Sequence, residues 1–170
     1  MIILDTDVVS EPMKPDGHRG VQAWLDEQIA ETWYLTSISL SELLLGVEFL
    51  PDGKRKVGLV GALGELLTTL FGARVLPFDQ HAATMYAGLV SRARAAGRAI
   101  SMADGQIAAI AAAHGFTVAT RDAGPFLAAA VPVVNPWEVG GQGGGLDARH
   151  VSVGNLRVRV RGRPSGRYCQ

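Results

Sequence analysis

Ile2-Ile3-Leu4-Asp5-Thr6-Asp7 opens a chain of 170 residues, and its pattern decides how the rest is read. Three β-type apolar residues in a row, broken by a carboxylate, describe a short, fully buried strand with a polar group at its carboxyl end. Similar strand-like runs follow at Leu35-Thr36-Ser37-Ile38, Arg74-Val75-Leu76, Phe116-Thr117-Val118-Ala119 and Val131-Pro132-Val133-Val134. Helical patterns lie between them. Residues 21–29 carry apolar side chains at helical spacing, and residues 39–50 do so until Pro51-Asp52-Gly53. Residues 57–70 follow, weakened by Gly58, Gly61 and Gly64; residues 79–96 end at Gly97 and residues 101–114 at Gly115. Strands alternating with helices predict βαβ units, hence an α/β fold whose central, mostly parallel sheet is flanked by helices.

Composition narrows the classes. Hydrophobic residues make up 48% and charged residues 19%, values typical of a globular domain. The one cysteine, Cys169, excludes a disulfide framework and a cysteine-based zinc site. No apolar run reaches the roughly 18–20 residues of a membrane span. The first residues lack a basic stretch and meet a carboxylate at Asp5, so a signal peptide is not expected; the expectation is a cytoplasmic protein with no membrane contact. Sixteen basic residues balance sixteen acidic ones, but unevenly along the chain. Residues 1–138 hold ten basic and fifteen acidic groups, a net of −5, whereas residues 139–170 hold six arginines and the single acid Asp147. A Gly-rich stretch at 140–145 separates the two, so residues 1–138 are expected to form the folded domain and 139–170 a flexible linker and basic tail. Within the tail, Leu156-Arg157-Val158-Arg159-Val160-Arg161 alternates as a strand would if something paired with it.

In open α/β sheets, ligands bind beyond the carboxyl ends of the strands. Four acids fall at such places: Asp5 after the first strand, Glu42 early in the helix after the second, Asp104 in the first turn of its helix, and Asp122 just after residues 116–119. Two carboxylates about 4 Å apart repel by roughly 4 kcal/mol at an effective dielectric near 20, so a cluster of them calls for cations. Hard oxygen donors without paired His or Cys select Mg²⁺, with Mn²⁺ as a second option. Each acid also has a structural reading. Ser39-x-x-Glu42 and Ser101-x-x-Asp104 both match a capping box, and Asp122 suits an exposed turn. Asp5, directly behind an apolar strand, is the hardest to explain structurally, because a buried carboxylate needs a partner. His114 suits a helix end, His18 and His81 have no partner at ligand spacing, and Ser37, Ser39 and Ser41 lack a nucleophile elbow. Trp24, Trp33 and Trp137 read as core or interface, and the Leu/Ala stripes of 39–50 and 57–70 as core first and partner groove second.

With these residues in view, the chain resembles the PIN-domain family, in particular the VapC-type toxins of bacterial toxin–antitoxin pairs. Residues 2–11 resemble the family's opening, Ser39-Leu40-Ser41-Glu42-Leu43 with Gly46 its second acidic motif, and residues 100–111 its third. Ala119-Thr120-Arg121-Asp122 followed by Phe126 resembles the fourth, and Val133-Val134-Asn135-Pro136-Trp137 the usual end. The resemblance implies a PIN-like three-layer sandwich and a Mg²⁺-dependent endoribonuclease that hydrolyses RNA with a metal-activated water. Asp5 and Asp104 match the main metal ligands, Glu42 the acid that completes the site, and Asp122 a position where relatives carry Asn or Asp. The chain departs from the pattern at Pro125, where relatives often have an acid, and at Asp7, where Asn is common. The resemblance also implies an RNA substrate, a homodimer and a cognate antitoxin. Two other readings stand beside it: a PIN fold retained for RNA or partner binding without catalysis, and a haloacid-dehalogenase-like phosphatase using Asp5 as nucleophile and Asp7 as acid/base.

Overall fold

The computed structural model of the chain describes residues 1–139 and two short strands at 150–153 and 156–159. The Gly-rich linker, most of the basic tail and the boundary drawn near residue 138 fall outside the described residues or at their edge. The chain's first strand, β1 (Ile2–Leu4), lies at the centre of a five-stranded sheet with β2 (Trp33–Thr36), β3 (Val75–Leu76), β4 (Thr117–Ala119) and β5 (Val133–Val134), in the order β3-β2-β1-β4-β5. Every pairing in it is parallel: Ile3 faces Tyr34 on one side and Val118 on the other. The expected α/β architecture is therefore present.

Strand alternation sorts the core into two layers. Leu4, Leu35 and Ala119 point to one face, against α1 (Thr6–Ser10), α2 (Arg19–Glu27) and α4 (Lys54–Leu66). Ile3 and Val118 point to the other, against α5 (Gln80–Ala95), α6 (Met102–His114) and α7 (Gly124–Ala128). The remaining helix, α3 (Ser37–Glu48), serves both, with Leu43 in the first layer and Ile38 against the second. Fully burying a Leu or Ile side chain contributes about 1.5–3 kcal/mol, so the three residues of β1 anchor both layers at once. A separate antiparallel pair, β6 (His150–Val153) and β7 (Leu156–Arg159), gives the first four residues of the alternating tail motif a partner strand.

Three boundaries differ from the sequence expectation. The second strand runs from Trp33 to Thr36 rather than 35–38, because the Thr36 hydroxyl accepts the Ser39 N–H at 2.9 Å and starts α3 at Ser37. The cap is thus Thr36, and the capping box expected at Ser39-x-x-Glu42 does not form; Ser39 is buried against Thr36 instead. The helix expected over 57–70 starts at Lys54 and ends at Leu66, giving way to a widened turn, Leu67–Phe71, that brings both Leu70 and Phe71 into the core. The Arg74 guanidinium bonds the Trp33, Ala30 and Leu70 carbonyls and fastens this turn to β2.

The pair α5 and α6 packs closely at Gly105. A Cβ there would stand 2.8 Å from Tyr86 Cε2 and 3.1 Å from Val90 Cγ2. We predict that Gly105→Val costs about 1–3 kcal/mol by overpacking, read in calorimetry as a fall of roughly 3–10 °C in the unfolding midpoint; an unchanged midpoint would show that the two helices have slack at this point.

Candidate active site

The chain leaves β1 for β2 on one side of the sheet and later adds β4 on the other, so strand order reverses at the carboxyl end of β1. Asp5 stands there. Its backbone N–H continues the ladder to Ala119 O at 3.0 Å, and its side chain caps α1. Oδ1 accepts the Thr6 N–H at 2.8 Å, and Oδ2 accepts the Thr120 hydroxyl, also at 2.8 Å. Two threonines extend these contacts to other acids. Thr6 Oγ1 donates to Glu42 Oε2 at 2.6 Å, which draws α3 to α1. Thr120, fully buried, accepts the Asp122 N–H at 3.2 Å. Asp5, Glu42 and Asp122 are therefore tied into one network at the switch point of the sheet.

Asp104 stands outside the Thr6 and Thr120 network, and its contacts are those of a helix cap. Ser101 Oγ accepts the Asp104 N–H at 3.1 Å and donates to Asp104 Oδ2 at 2.6 Å, so this expected cap is real and holds the carboxylate at the start of α6. Asp122 is exposed and its Oδ1 accepts the Gly124 N–H at 3.2 Å, the turn role expected of it. Asp7 reaches across to the same loop: its Oδ2 accepts the Arg121 N–H at 2.9 Å, while its Oδ1 is buried with no hydrogen-bond partner among the described residues. Sequence reasoning did not single out Thr6 and Thr120. Their one local signal is that each lies within two residues of an acid, just past a strand.

Burial dominates the electrostatics. It pushes the Asp5 carboxyl up to about 6; the Thr120 and Thr6 hydrogen bonds pull the other way, and the charges of Asp7 and Glu42 raise it further. Burial also raises Asp7, against the pull of the Arg121 and Val8 amides and the charges of Lys14 and Arg121. Glu11 ends differently: burial raises it, but the Lys14 ammonium at 2.5 Å and the His18 amide at 2.9 Å outweigh that and hold it below its ordinary value. Among the described residues, no three His, Cys, Asp or Glu side chains stand close enough together to cage a metal by themselves. The donor set still fits a hard cation. Its donors are carboxylates, one buried oxygen has no partner, and Asp5 carries a burial cost that a positive charge would relieve. Mg²⁺ needs only one or two protein carboxylates, since it keeps several waters.

The histidines and tryptophans behave as expected. His114 ends α6 and packs on Phe116 at 5.4 Å between ring centroids, Trp24 and Trp33 are buried, and Trp137 carries the Arg121 guanidinium over its ring at 5.5 Å. No helix among the described residues is long and apolar enough to cross a membrane.

Comparison with known proteins gives the chain's family. The profile of the PIN domain matches residues 2–131. The chain is 50% identical to VapC ribonuclease Y4jK of Sinorhizobium fredii over 139 residues, which span 81% of this chain and 99% of that protein. It is also 50% identical to Toxin FitB of Neisseria gonorrhoeae over 137 residues, 81% of this chain and 99% of that one. The crystal structure of FitAcB from Neisseria gonorrhoeae superimposes with a TM-score of 0.79 at 49% identity, covering 82% of this chain and all of that one. Nothing in these matches supports the phosphatase alternative.

The raised Asp5 carboxyl gives a signed expectation. The unfolded chain loses this proton near 3.8 and the folded chain near 6, so the folded state binds more protons between those values. Stability therefore falls as pH rises from about 4 to about 6, and the penalty is complete above that. Asp5→Asn, measured in metal-free buffer, should raise the unfolding midpoint near pH 7.5 by roughly 3–6 °C and leave it nearly unchanged at pH 4. A gain of equal size at both pH values would remove ionisation as the cause.

Proposed function

The chain belongs to the PIN-domain family, and on that premise we propose that it is a VapC-type toxin acting as a Mg²⁺-dependent endoribonuclease, with Mn²⁺ as a possible substitute. The observation that carries the proposal is the network in which Thr6 and Thr120 join Asp5 to Glu42 and Asp122 at the switch point of the sheet. Such a set of acids is costly without a cation and has a plain use with one.

In this reading Asp5 and Asp104 hold the metal, and Glu42 and Asp122 complete its surroundings. When bound, the cation polarises a phosphate oxygen and lowers the pKa of water beside it. The chain's own groups supply the positioning. Thr120 fixes the Asp5 carboxylate by its hydroxyl, Thr6 fixes Glu42, and Asp7 holds the Arg121 amide so that the loop after β4 stays over the site. Ser101 fixes the rotamer of Asp104 in the same way.

The reading extends to partners. A groove of about 460 Å³ opens beside Thr6 and Glu42, floored by Met13, Leu43, Val47, Leu50, Leu59 and Leu63. It suits the apolar part of a cognate antitoxin, with an arginine of that segment pairing with the carboxylates in place of the metal's charge. Leu45 on α3 and Val57 and Val60 on α4 are exposed, and Phe49, just past the end of α3, is 78% exposed. That apolar surface suits a homodimer, which light scattering of the purified chain should register; a strict monomer at micromolar concentration would count against it.

The deciding experiment is RNA cleavage by the purified chain. With Mg²⁺ it should cut, with EDTA it should not, and Asp5→Asn or Asp104→Asn should lower the rate by at least about 10²-fold while the protein stays folded. Full activity in either variant overturns the site, and no cleavage of any RNA by the intact chain in Mg²⁺ favours a PIN fold used for binding alone.

A further inference from the structure

The folded domain is acidic, yet its proposed substrate is a polyanion, so the unengaged cations become informative. Of the ten basic residues before Glu138, Lys14 pairs with Glu11, and Lys56 with Glu48 and Asp52. Arg74 turns inward onto backbone carbonyls, and Arg121 lies over Trp137. Arg19, Lys54 and Arg55 are spread over α2 and α4. The remaining three, Arg92, Arg94 and Arg98, fall within seven residues, are exposed, and have no acidic partner among the described residues.

Two of these arginines, Arg94 and Arg98, line a concave surface. A cleft of about 430 Å³ is lined by Val90, Arg94, Gly97, Arg98, Ala99 and Ile100. Its shape comes from the end of α5. Gly97 adopts a left-handed conformation at φ 72°, and the Arg98 N–H closes back onto Ala93 O at 2.9 Å, so the chain turns sharply and Arg98 is fixed beside Arg94. The Arg92 guanidinium folds back over Gly88, whose missing side chain leaves it room. The strap 97–100 then leads straight to Ser101 and Asp104. Three extended residues span at most about 10 Å, and one helical turn adds about 5 Å. Arg98 therefore lies within a few nucleotides' reach of the proposed metal ligand Asp104.

We propose that this cleft is a second contact for the substrate: the guanidinium groups of Arg94 and Arg98 bind backbone phosphates of single-stranded RNA next to the scissile bond. The proposal rests on the ribonuclease reading above. Guanidinium suits the role because it grips phosphate in a bidentate fashion and never loses its charge. The apolar floor from Val90 and Ile100 gives a base somewhere to rest while its phosphate is held, and backbone contact of this kind positions a strand without reading its sequence.

The competing use of Arg92 and Arg94 is to complement the negative end of the α5 dipole, and the test separates the two. Binding of a short fluorescein-labelled single-stranded RNA to the full chain is followed by anisotropy in EDTA, at several salt concentrations. Arg94→Gln/Arg98→Gln should weaken binding about 10-fold and flatten the salt slope by about 1.4, since each lost phosphate contact on a single strand removes about 0.7. Arg19→Gln/Lys54→Gln, which removes the same charge elsewhere, should change neither quantity. Equal losses in the two double variants would mean that net charge alone matters and would overturn the cleft. So would a lowered unfolding midpoint with RNA binding intact, which assigns the arginines to the helix dipole. An intact chain that binds and cleaves RNA beside an unaffected Arg94→Gln/Arg98→Gln variant rejects only the cleft; an intact chain that neither binds nor cleaves RNA rejects the ribonuclease reading with it.

Discussion

A carboxylate placed at the end of the most enclosed strand in a sheet has few ways to be tolerated. Asp5 follows Leu4, a core residue of β1, and water cannot fully solvate it there. Two donors, the Thr6 amide and the Thr120 hydroxyl, offset part of the cost and fix the side chain in one orientation. The remaining cost is what makes the position useful. A group held rigidly, partly desolvated and next to other acids attracts a cation more strongly than a surface aspartate does. The rest of the site is arranged around this constraint. Thr120 comes from β4 because β4 is the neighbour of β1, and Glu42 is reached through Thr6 because α1 begins where β1 stops.

Much of this arrangement is legible along the chain because it is local. The apolar run of residues 2–4 and the carboxylate behind it reveal β1 and the importance of Asp5 together. The Ser101-x-x-Asp104 spacing reveals where α6 starts, and the structure bears the cap out. The same spacing at Ser39-x-x-Glu42 misleads, since Thr36 lies three residues before Ser39 and captures its amide first. With the capping role gone, the Glu42 carboxylate accepts the Thr6 hydroxyl instead. The short helices α1 and α7 have only five residues each, too few to display a helical period. Thr6 and Thr120 escape notice for another reason: the partners they bind lie 36 and 115 residues away in sequence, and no local pattern encodes such pairings.

Charge is distributed with a similar economy. Four of the domain's ten cations are taken up by neighbours: an acid for Lys14 and Lys56, carbonyls for Arg74, an indole ring for Arg121. Of the other six, Arg92, Arg94 and Arg98 are concentrated within seven residues at the end of α5. Overall neutrality of the 170 residues conceals this, because the tail's arginines balance the sum without saying where the domain's own charges lie.

The pairing of β1 with β4 also has a consequence in time. Thr120, the hydroxyl that orients Asp5, is synthesised 115 residues after it. At typical elongation rates of about 5–20 residues per second, that is a delay of roughly 6–25 s. For most of that interval the nascent chain lacks β4; Asp104 appears only 16 residues before Thr120, and Asp122 two residues after it. The hydrogen bond that orients Asp5 therefore cannot form until the sheet is nearly complete. The order of synthesis leaves an interval in which another protein can meet the chain before Asp5 is held in place.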